Sequence, residues 1–144
     1  MEYRKFGEKI FVRLDKGDEV ITSLTSVCEK EQIFTASVQG IGGCERARVG
    51  IFDPEIKVYR QREICCLLEM ISLDGNVTSF EDKPFLHLHA SFAYHGEDKK
   101  PEILSGHLLE AVIGLTGEIV LIPTAGKIGR KYIEELGIRV WDFA

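Results

Sequence analysis

The sequence lacks long hydrophobic runs. No stretch of its 144 residues approaches the roughly 18 uninterrupted apolar residues that a membrane-spanning helix requires. The N-terminus, residues 1–6, has no apolar segment behind its charged side chains, so we expect no secretory signal, a cytoplasmic location and no membrane partner. Hydrophobic residues make up 44% of the chain and charged residues 28%. This balance predicts a single globular domain over residues 1–144.

An excess of basic charge is also missing. Eighteen Lys and Arg residues stand against 23 Asp and Glu residues, which gives a net charge of −5 with His neutral. The densest basic groups, Arg46 with Arg48 and residues 127–131, are diluted by nearby acids. Proteins that grip the phosphate backbone usually carry a concentrated positive surface, because counterion release supplies much of their affinity. The composition therefore disfavours strong DNA binding by the isolated domain.

Several motifs of catalysis and cofactor binding are absent. The segment Gly40–Gly43 resembles the start of a dinucleotide fingerprint, but Glu45 stands where G-x-G-x-x-G requires its last glycine. These glycines instead predict a bend or bulge between strands. The sequence contains no P-loop and no G-x-S-x-G elbow. It therefore shows no signature of nucleotide binding or of a serine hydrolase.

The four cysteines show no spacing typical of a zinc site. They are Cys28, Cys44, Cys65 and Cys66, and none belongs to a C-x-x-C pair. Cys65 and Cys66 are adjacent, so a strand would point them to opposite faces. We expect all four to be small buried hydrophobic residues in a reducing compartment.

Hydrophobic periodicity predicts one helix followed by many strands. Apolar residues at 20, 21, 24, 27 and 28 mark one helical face, which predicts a helix over residues 17–31 capped by Asp15 or Asp18. Alternating patterns predict strands at 8–14, 33–40, 44–52, 55–60, 62–73, 76–80, 85–94, 103–113 and 118–122, with a hairpin turn at Asp74-Gly75. The tail predicts a short helix over 126–136 and a final strand over 138–143.

These elements indicate an α+β fold, mostly antiparallel β-sheet with one main helix near the N-terminus. Strands at the edges of such a sheet need covering, and self-association is a common way to cover them. A homo-oligomer is therefore expected.

Three histidines form the most informative pattern. His87 and His89 are two residues apart within one predicted strand, so their side chains project from the same face. His107 lies on the strand that follows the next turn and is placed to supply a third ligand. Three imidazoles with an open position are a ligand set that catalytic zinc uses. The sequence therefore predicts a divalent-metal site at His87, His89 and His107, although strand histidines are often ordinary polar residues.

Two carboxylates are candidates for a role beside these histidines. Glu69 lies on the strand before Asp74-Gly75, and Glu118 lies on a late strand. Either could hold an imidazole N–H, ligate the metal or transfer a proton. Each could also be an ordinary solvent-facing acid, and the sequence alone favours this second interpretation for both.

The order of these segments resembles a known family. The chain contains Leu73-Asp74-Gly75-Asn76, then Leu86-His87-Leu88-His89-Ala90, then Gly106-His107-Leu108. In that order and spacing, from about Phe6 to Pro123, they resemble the PPC domain, the plants and prokaryotes conserved domain. The chain departs from the usual G-G-H-L at Ser105, and it has no Arg-Gly-Arg-Pro segment of the AT-hook type.

The resemblance implies an α+β fold built around antiparallel sheet, and a homotrimer with the histidines close to subunit contacts. It implies that the residues matching the family's histidines, His87, His89 and His107, hold zinc or a similar metal. Family members are commonly described as DNA-binding, because the plant proteins join this domain to AT-hooks. The fold is also similar to that of acetolactate decarboxylase, which uses a three-histidine zinc site.

Three hypotheses of function follow, and the third is an assembly scaffold whose histidines bind no metal. The first is a regulatory or ligand-binding module with a three-histidine metal site and a possible DNA partner. The second is a zinc-dependent lyase or hydrolase acting on a small oxo-acid, in which Glu69 or Glu118 would move the proton. An open metal position next to a carboxylate and a cation would favour the second.

Overall fold

A computed structural model describes residues 1–144. Nine β-strands and one α-helix make up the fold. Their bounds, in chain order, are β1 Glu2–Phe6, β2 Lys9–Asp15, α1 Val20–Lys30, β3 Ala36–Asp53, β4 Val58–Ile64, β5 Leu68–Phe80, β6 Lys83–His95, β7 Pro101–Pro123, β8 Gly129–Ile133 and β9 Ile138–Asp142. No helix is long and apolar enough to cross a membrane. The predicted fold class, mostly antiparallel sheet with one helix near the N-terminus, is confirmed.

The helix forms where its apolar periodicity predicts. It buries Val20, Leu24, Val27 and Cys28, which follow one another at helical spacing. The cap is Glu19, whose side chain accepts hydrogen bonds from the backbone N–H groups of Ile21 and Thr22. The prediction of Asp15 or Asp18 as the cap was therefore wrong. The Asp18 carboxylate instead accepts the backbone N–H of Asp15 in the preceding turn.

Two long strands organise the sheet. The seven strands of the main sheet follow the order β1-β2-β7-β6-β5-β3-β4, and all their pairings are antiparallel. An additional pairing of β3 with β7 closes a ring of four strands, β3-β5-β6-β7. The apolar core lies inside this ring and under α1, and Phe92, Leu88 and Leu24 are among its fully covered side chains.

Bulges explain why the two long strands were predicted as shorter pieces. The register of β3 shifts between Gly40 and Gly42 against β5, and between Gly42 and Cys44 against β7. Each shift breaks the alternation of apolar and polar residues without ending the strand. The bulge predicted at the glycine segment is thus confirmed, while the separate strands 33–40 and 44–52 are one strand, and 103–113 and 118–122 are another.

Two further predictions about local structure were wrong. Asp74-Gly75 is not a hairpin turn but the middle of β5, where these residues pair with His89 and Leu88 of β6. The tail forms the hairpin β8–β9 in place of a helix over 126–136, because Lys131 pairs with Val140 and Ile133 with Ile138.

The cysteines divide into two pairs. Cys28 and Cys44 are buried as expected, and burial raises the pKa of each thiol to about 12. Cys65 and Cys66 are exposed in the connection between β4 and β5, which contradicts the expectation that all four are buried.

Candidate metal centre

The three histidines converge on the outer face of the sheet. His89 of β6 pairs directly with His107 of β7, and His87 lies two residues before His89 on the same face. Leu88 and Ala90, which alternate with these histidines, are buried in the core. The alternation of a β-strand therefore sends the leucine inward and both imidazoles outward.

The imidazoles are close enough to share one ion. One ring nitrogen from each histidine lies within 4.8 Å of the others, and the ring centroids are 5.0 to 5.5 Å apart. A tetrahedral zinc ion with Zn–N distances of about 2.0–2.1 Å separates two ligand nitrogens by about 3.4 Å. Small rotations of the side chains would therefore bring all three nitrogens to coordination distance.

Neighbouring strands hold His107 in place. Tyr59 of β4 stacks against its imidazole, with ring centroids 4.8 Å apart and an interplanar angle of 33°. Gly106 lets β7 approach β3 closely, because a Cβ at that position would lie 2.8 Å from the carbonyl oxygen of Gly50. The resulting crowding buries the Nδ1 atom of His107, which has no hydrogen-bond partner in the protein.

The electrostatics of the cluster favour the neutral forms of His87 and His107. Burial, with smaller contributions from the nearby His87 and His89, lowers the pKa of His107 to about 4. Burial also lowers the pKa of His87, with contributions from Arg130 and His89. Metal ions bind the neutral form of histidine. A buried imidazole nitrogen without a partner, on a histidine whose pKa is lowered, fits a site for a borderline-soft divalent cation such as zinc.

The two predicted carboxylates do not join the cluster. Glu69 pairs with Ala93 and lies five residues along β5 from Asp74, a distance of about 16 Å at the usual rise of a strand. Glu118 pairs with Arg13 and Ile41, and lies eleven residues along β7 from His107. The antiparallel register therefore places both acids well away from the imidazoles.

Asp74 occupies the position that was expected of Glu69 or Glu118. It pairs directly with His89, and both residues line a surface cavity of about 330 Å³ together with Ser72, Ser91 and Ser105. The sequence suggested Asp74 only as a turn residue. Its place beside His89 follows from the β5–β6 register, which the local sequence does not reveal.

Arg130 borders the opposite side of the cluster. Its Nη2 donates to Asn76 Oδ1 at 2.8 Å, and Asn76 pairs directly with His87. Its Nε donates to Thr78 Oγ1 at 2.8 Å, and its guanidinium lies over the ring of Phe85, 5.0 Å from the centroid. The cluster is thus flanked by a carboxylate beside His89 and a cation beside His87.

Comparison with known proteins identifies the family. The model of the Plants and Prokaryotes Conserved (PCC) domain matches residues 1–125, so the chain belongs to this family, as its resemblance to the PPC domain indicated. No curated protein sequence matches the chain.

Solved structures support the same relationship. A candidate DNA-binding protein from Bacteroides thetaiotaomicron is 30% identical with a TM-score of 0.91, and the match covers 99% of this chain and 96% of that one. A metal-containing protein from Archaeoglobus fulgidus is 30% identical with a TM-score of 0.84, over 97% and 96% of the two chains. A Staphylococcus aureus protein similar to α-acetolactate decarboxylase is 13% identical with a TM-score of 0.50, over 83% and 52%. The last likeness concerns the fold alone.

Proposed function

We propose that this protein is a metal-dependent ligand-binding module of the PCC family, in which His87, His89 and His107 hold zinc or another divalent cation. The convergence of three imidazole nitrogens within 4.8 Å carries this proposal. The metal-containing relative from Archaeoglobus fulgidus supports it. Three protein ligands leave one position of a tetrahedral ion open, so a small molecule or water can bind there.

The assembly we propose is a homotrimer, as the family resemblance implies. A groove of about 710 Å³ next to β1 and β2 exposes large apolar side chains, namely Phe6, Phe11, Ile41 and Ile71. Contiguous exposed apolar surface of this kind marks an interaction site. The groove also includes Ser72 and Asp74, which line the cavity beside His89. Further copies of this chain are therefore the occupants we propose, because they would cover the groove and lie close to the histidines.

Metal analysis and light scattering of one preparation test both statements. We expect protein purified without a histidine tag to hold about one zinc or similar ion per chain, and the particle to have the mass of three chains. Protein that stays free of metal after incubation with equimolar zinc would refute the metal site. A monomeric mass would refute the trimer and leave the metal site unaffected.

Direct binding to DNA receives little support from the surface charge. Six of the eight arginines form ion pairs with carboxylates, namely Arg4, Arg13, Arg46, Arg48, Arg60 and Arg62. The neighbouring carboxylates reduce the positive electrostatic potential around these arginines, so the arginines attract phosphates less strongly. The one observation in favour of DNA as a partner is that the relative from Bacteroides thetaiotaomicron is described as a candidate DNA-binding protein.

A salt series measures the phosphate contacts. We expect the chain to show no association with a duplex DNA fragment at 150 mM salt, and no steep gain in affinity as the salt is lowered. A protein that contacts six to ten phosphates gains roughly 10³–10⁵ in affinity over a fourfold decrease in salt. A gain of that size here would establish DNA as a partner.

A metal-dependent enzyme is the second candidate, and one observation favours it. The cluster has a carboxylate on one side, Asp74, and a guanidinium on the other, Arg130. Zinc would polarise a carbonyl or lower the pKa of a bound water, and Asp74 would be the group that moves the proton. An Asp74→Asn variant that keeps its metal but loses turnover of a small oxo-acid would distinguish an enzyme from a binding module.

A further inference from the structure

The hairpin β8–β9 brings a positive charge to the face that carries the histidines. Asn76 and Thr78 of β5, and Phe85 and His87 of β6, form two successive cross-strand pairs on that face. Arg130 lies across both pairs, since it donates to Asn76 and Thr78 and stacks on Phe85. Its guanidinium is therefore held in a fixed position next to His87.

This guanidinium has no counter-ion. Arg130 and Arg139 are the two arginines that form no ion pair, and Arg139 is exposed to solvent while Arg130 is partly buried. Burial lowers the pKa of Arg130. Keeping an unpaired charge away from water is costly. The Arg130 guanidinium is partly buried, carries no counter-ion and is held by two hydrogen bonds. A cation held in this way is suited to bind an anion.

The free donors of Arg130 match a carboxylate. Arginine has five N–H donors, and Nε and one Nη2 N–H are the two that the protein uses. The free edge of the guanidinium thus offers parallel N–H groups from its two terminal nitrogens. Two parallel N–H donors fit the two oxygens of one carboxylate, which makes a pair of charge-assisted hydrogen bonds.

We infer that the three-histidine site takes a small carboxylate-bearing ligand, whose carboxylate pairs with Arg130 while the rest of the molecule faces the histidine cluster. This inference rests on the proposed metal site and names the class of ligand that the site accepts. Asn76 is a positioning residue in this arrangement, because it fixes the guanidinium and also pairs with His87. Asn76 also accepts a hydrogen bond from Trp141 Nε1 at 3.4 Å.

The only tryptophan provides the measurement. Because the Trp141 indole and Arg130 share the Asn76 oxygen, intrinsic fluorescence reports directly on this part of the site. Sodium acetate and sodium pyruvate are titrated into zinc-loaded protein at constant ionic strength maintained with chloride, and sodium phosphate is titrated in parallel. We expect saturable fluorescence changes with the two carboxylates and weaker binding of phosphate.

Variants of the two unpaired arginines provide the control. We expect Arg130→Gln to bind acetate and pyruvate at least about tenfold more weakly, because both charge-assisted hydrogen bonds are lost, while its zinc content stays at that of the wild type. Arg130→Lys should lie between the two, since it keeps the charge but not the fork. Arg139→Gln, on the same hairpin but stacked on Phe80 and Tyr132, should bind like the wild type.

The outcomes separate this inference from the proposed function. Zinc-loaded protein that binds neither carboxylate, or equal affinities of Arg130→Gln and Arg139→Gln, would overturn the inference and leave the metal site in place. Tighter binding of phosphate than of either carboxylate would overturn the assigned ligand class. Protein that takes up no zinc would overturn both proposals.

Discussion

Replacement of His89 by alanine is expected to abolish stoichiometric metal binding. His89 is the central member of the cluster, since it pairs with His107 and lies two residues from His87. Loss of an outer-shell hydrogen bond alone costs about 10–100-fold in metal affinity, so loss of a direct ligand should cost at least about 100-fold. Metal analysis after gel filtration in buffer without added zinc gives the ion content of each variant.

His95→Ala is the matched control for this experiment. His95 is the last residue of β6, and the Nδ1–H of its exposed ring donates one hydrogen bond to the carbonyl oxygen of Lys99. We expect this variant to keep the metal content of the wild type. Chelation should lower the melting temperature of the wild type and of His95→Ala, because a ligand that binds only the folded state stabilises it. Equal metal content in His89→Ala and His95→Ala would contradict the proposed site.

Replacement of Gly75 by alanine is expected to destabilise the fold and the site together. A Cβ at this position would lie 2.1 Å from the carbonyl oxygen of His87 and 2.9 Å from Cα of Leu88. Both contacts are to backbone atoms, which no rotation of a side chain can relieve. Overpacking usually costs about 1–3 kcal/mol, and this rigid contact belongs at the upper end of that range or above it. For a domain of this size we expect a fall of about 10 °C in melting temperature.

Gly129→Ala tests whether the effect depends on the position of the glycine. Gly129 also lies in a strand, but a Cβ there would meet its nearest neighbours at 3.5 and 3.6 Å, which is ordinary contact. Its melting temperature should therefore stay within about 2 °C of the wild type. Because β5 must move away from His87 in Gly75→Ala, that variant should also bind zinc more weakly. A Gly75→Ala protein as stable as Gly129→Ala would show that β5 and β6 are not packed as closely as described.

Patterns within single elements correctly predicted the position of the helix and the shared strand face of His87 and His89. The apolar face of α1 has a period that no strand shares, and His87 and His89 need only the two-residue period of a strand to share a face. Their approach to His107 followed from the hairpin order of β6 and β7. These predictions succeed because local periodicity and short connections determine them.

The predictions that failed depend on contacts between distant parts of the chain. Asp74-Gly75 has the composition of a tight turn, yet the glycine serves the close approach of β5 to β6. Because a turn was predicted at Asp74-Gly75, the sequence did not indicate that Asp74 is a neighbour of His89. Arg130 could not be found from the sequence, because residues 126–136 have helical composition and become a hairpin only by pairing with β9 and packing on β5.

The position of Arg130 outside the matched domain has a consequence for ligand selectivity. The histidines, Asp74 and Asn76 all lie within residues 1–125, whereas the guanidinium comes from the two strands that follow. Substitutions in the hairpin β8–β9 would change the charge or the size of the anion that the site prefers, without moving the three imidazoles. The ligand selectivity of this chain would thus depend on its last nineteen residues, 126–144, while the proposed metal chemistry belongs to the matched domain.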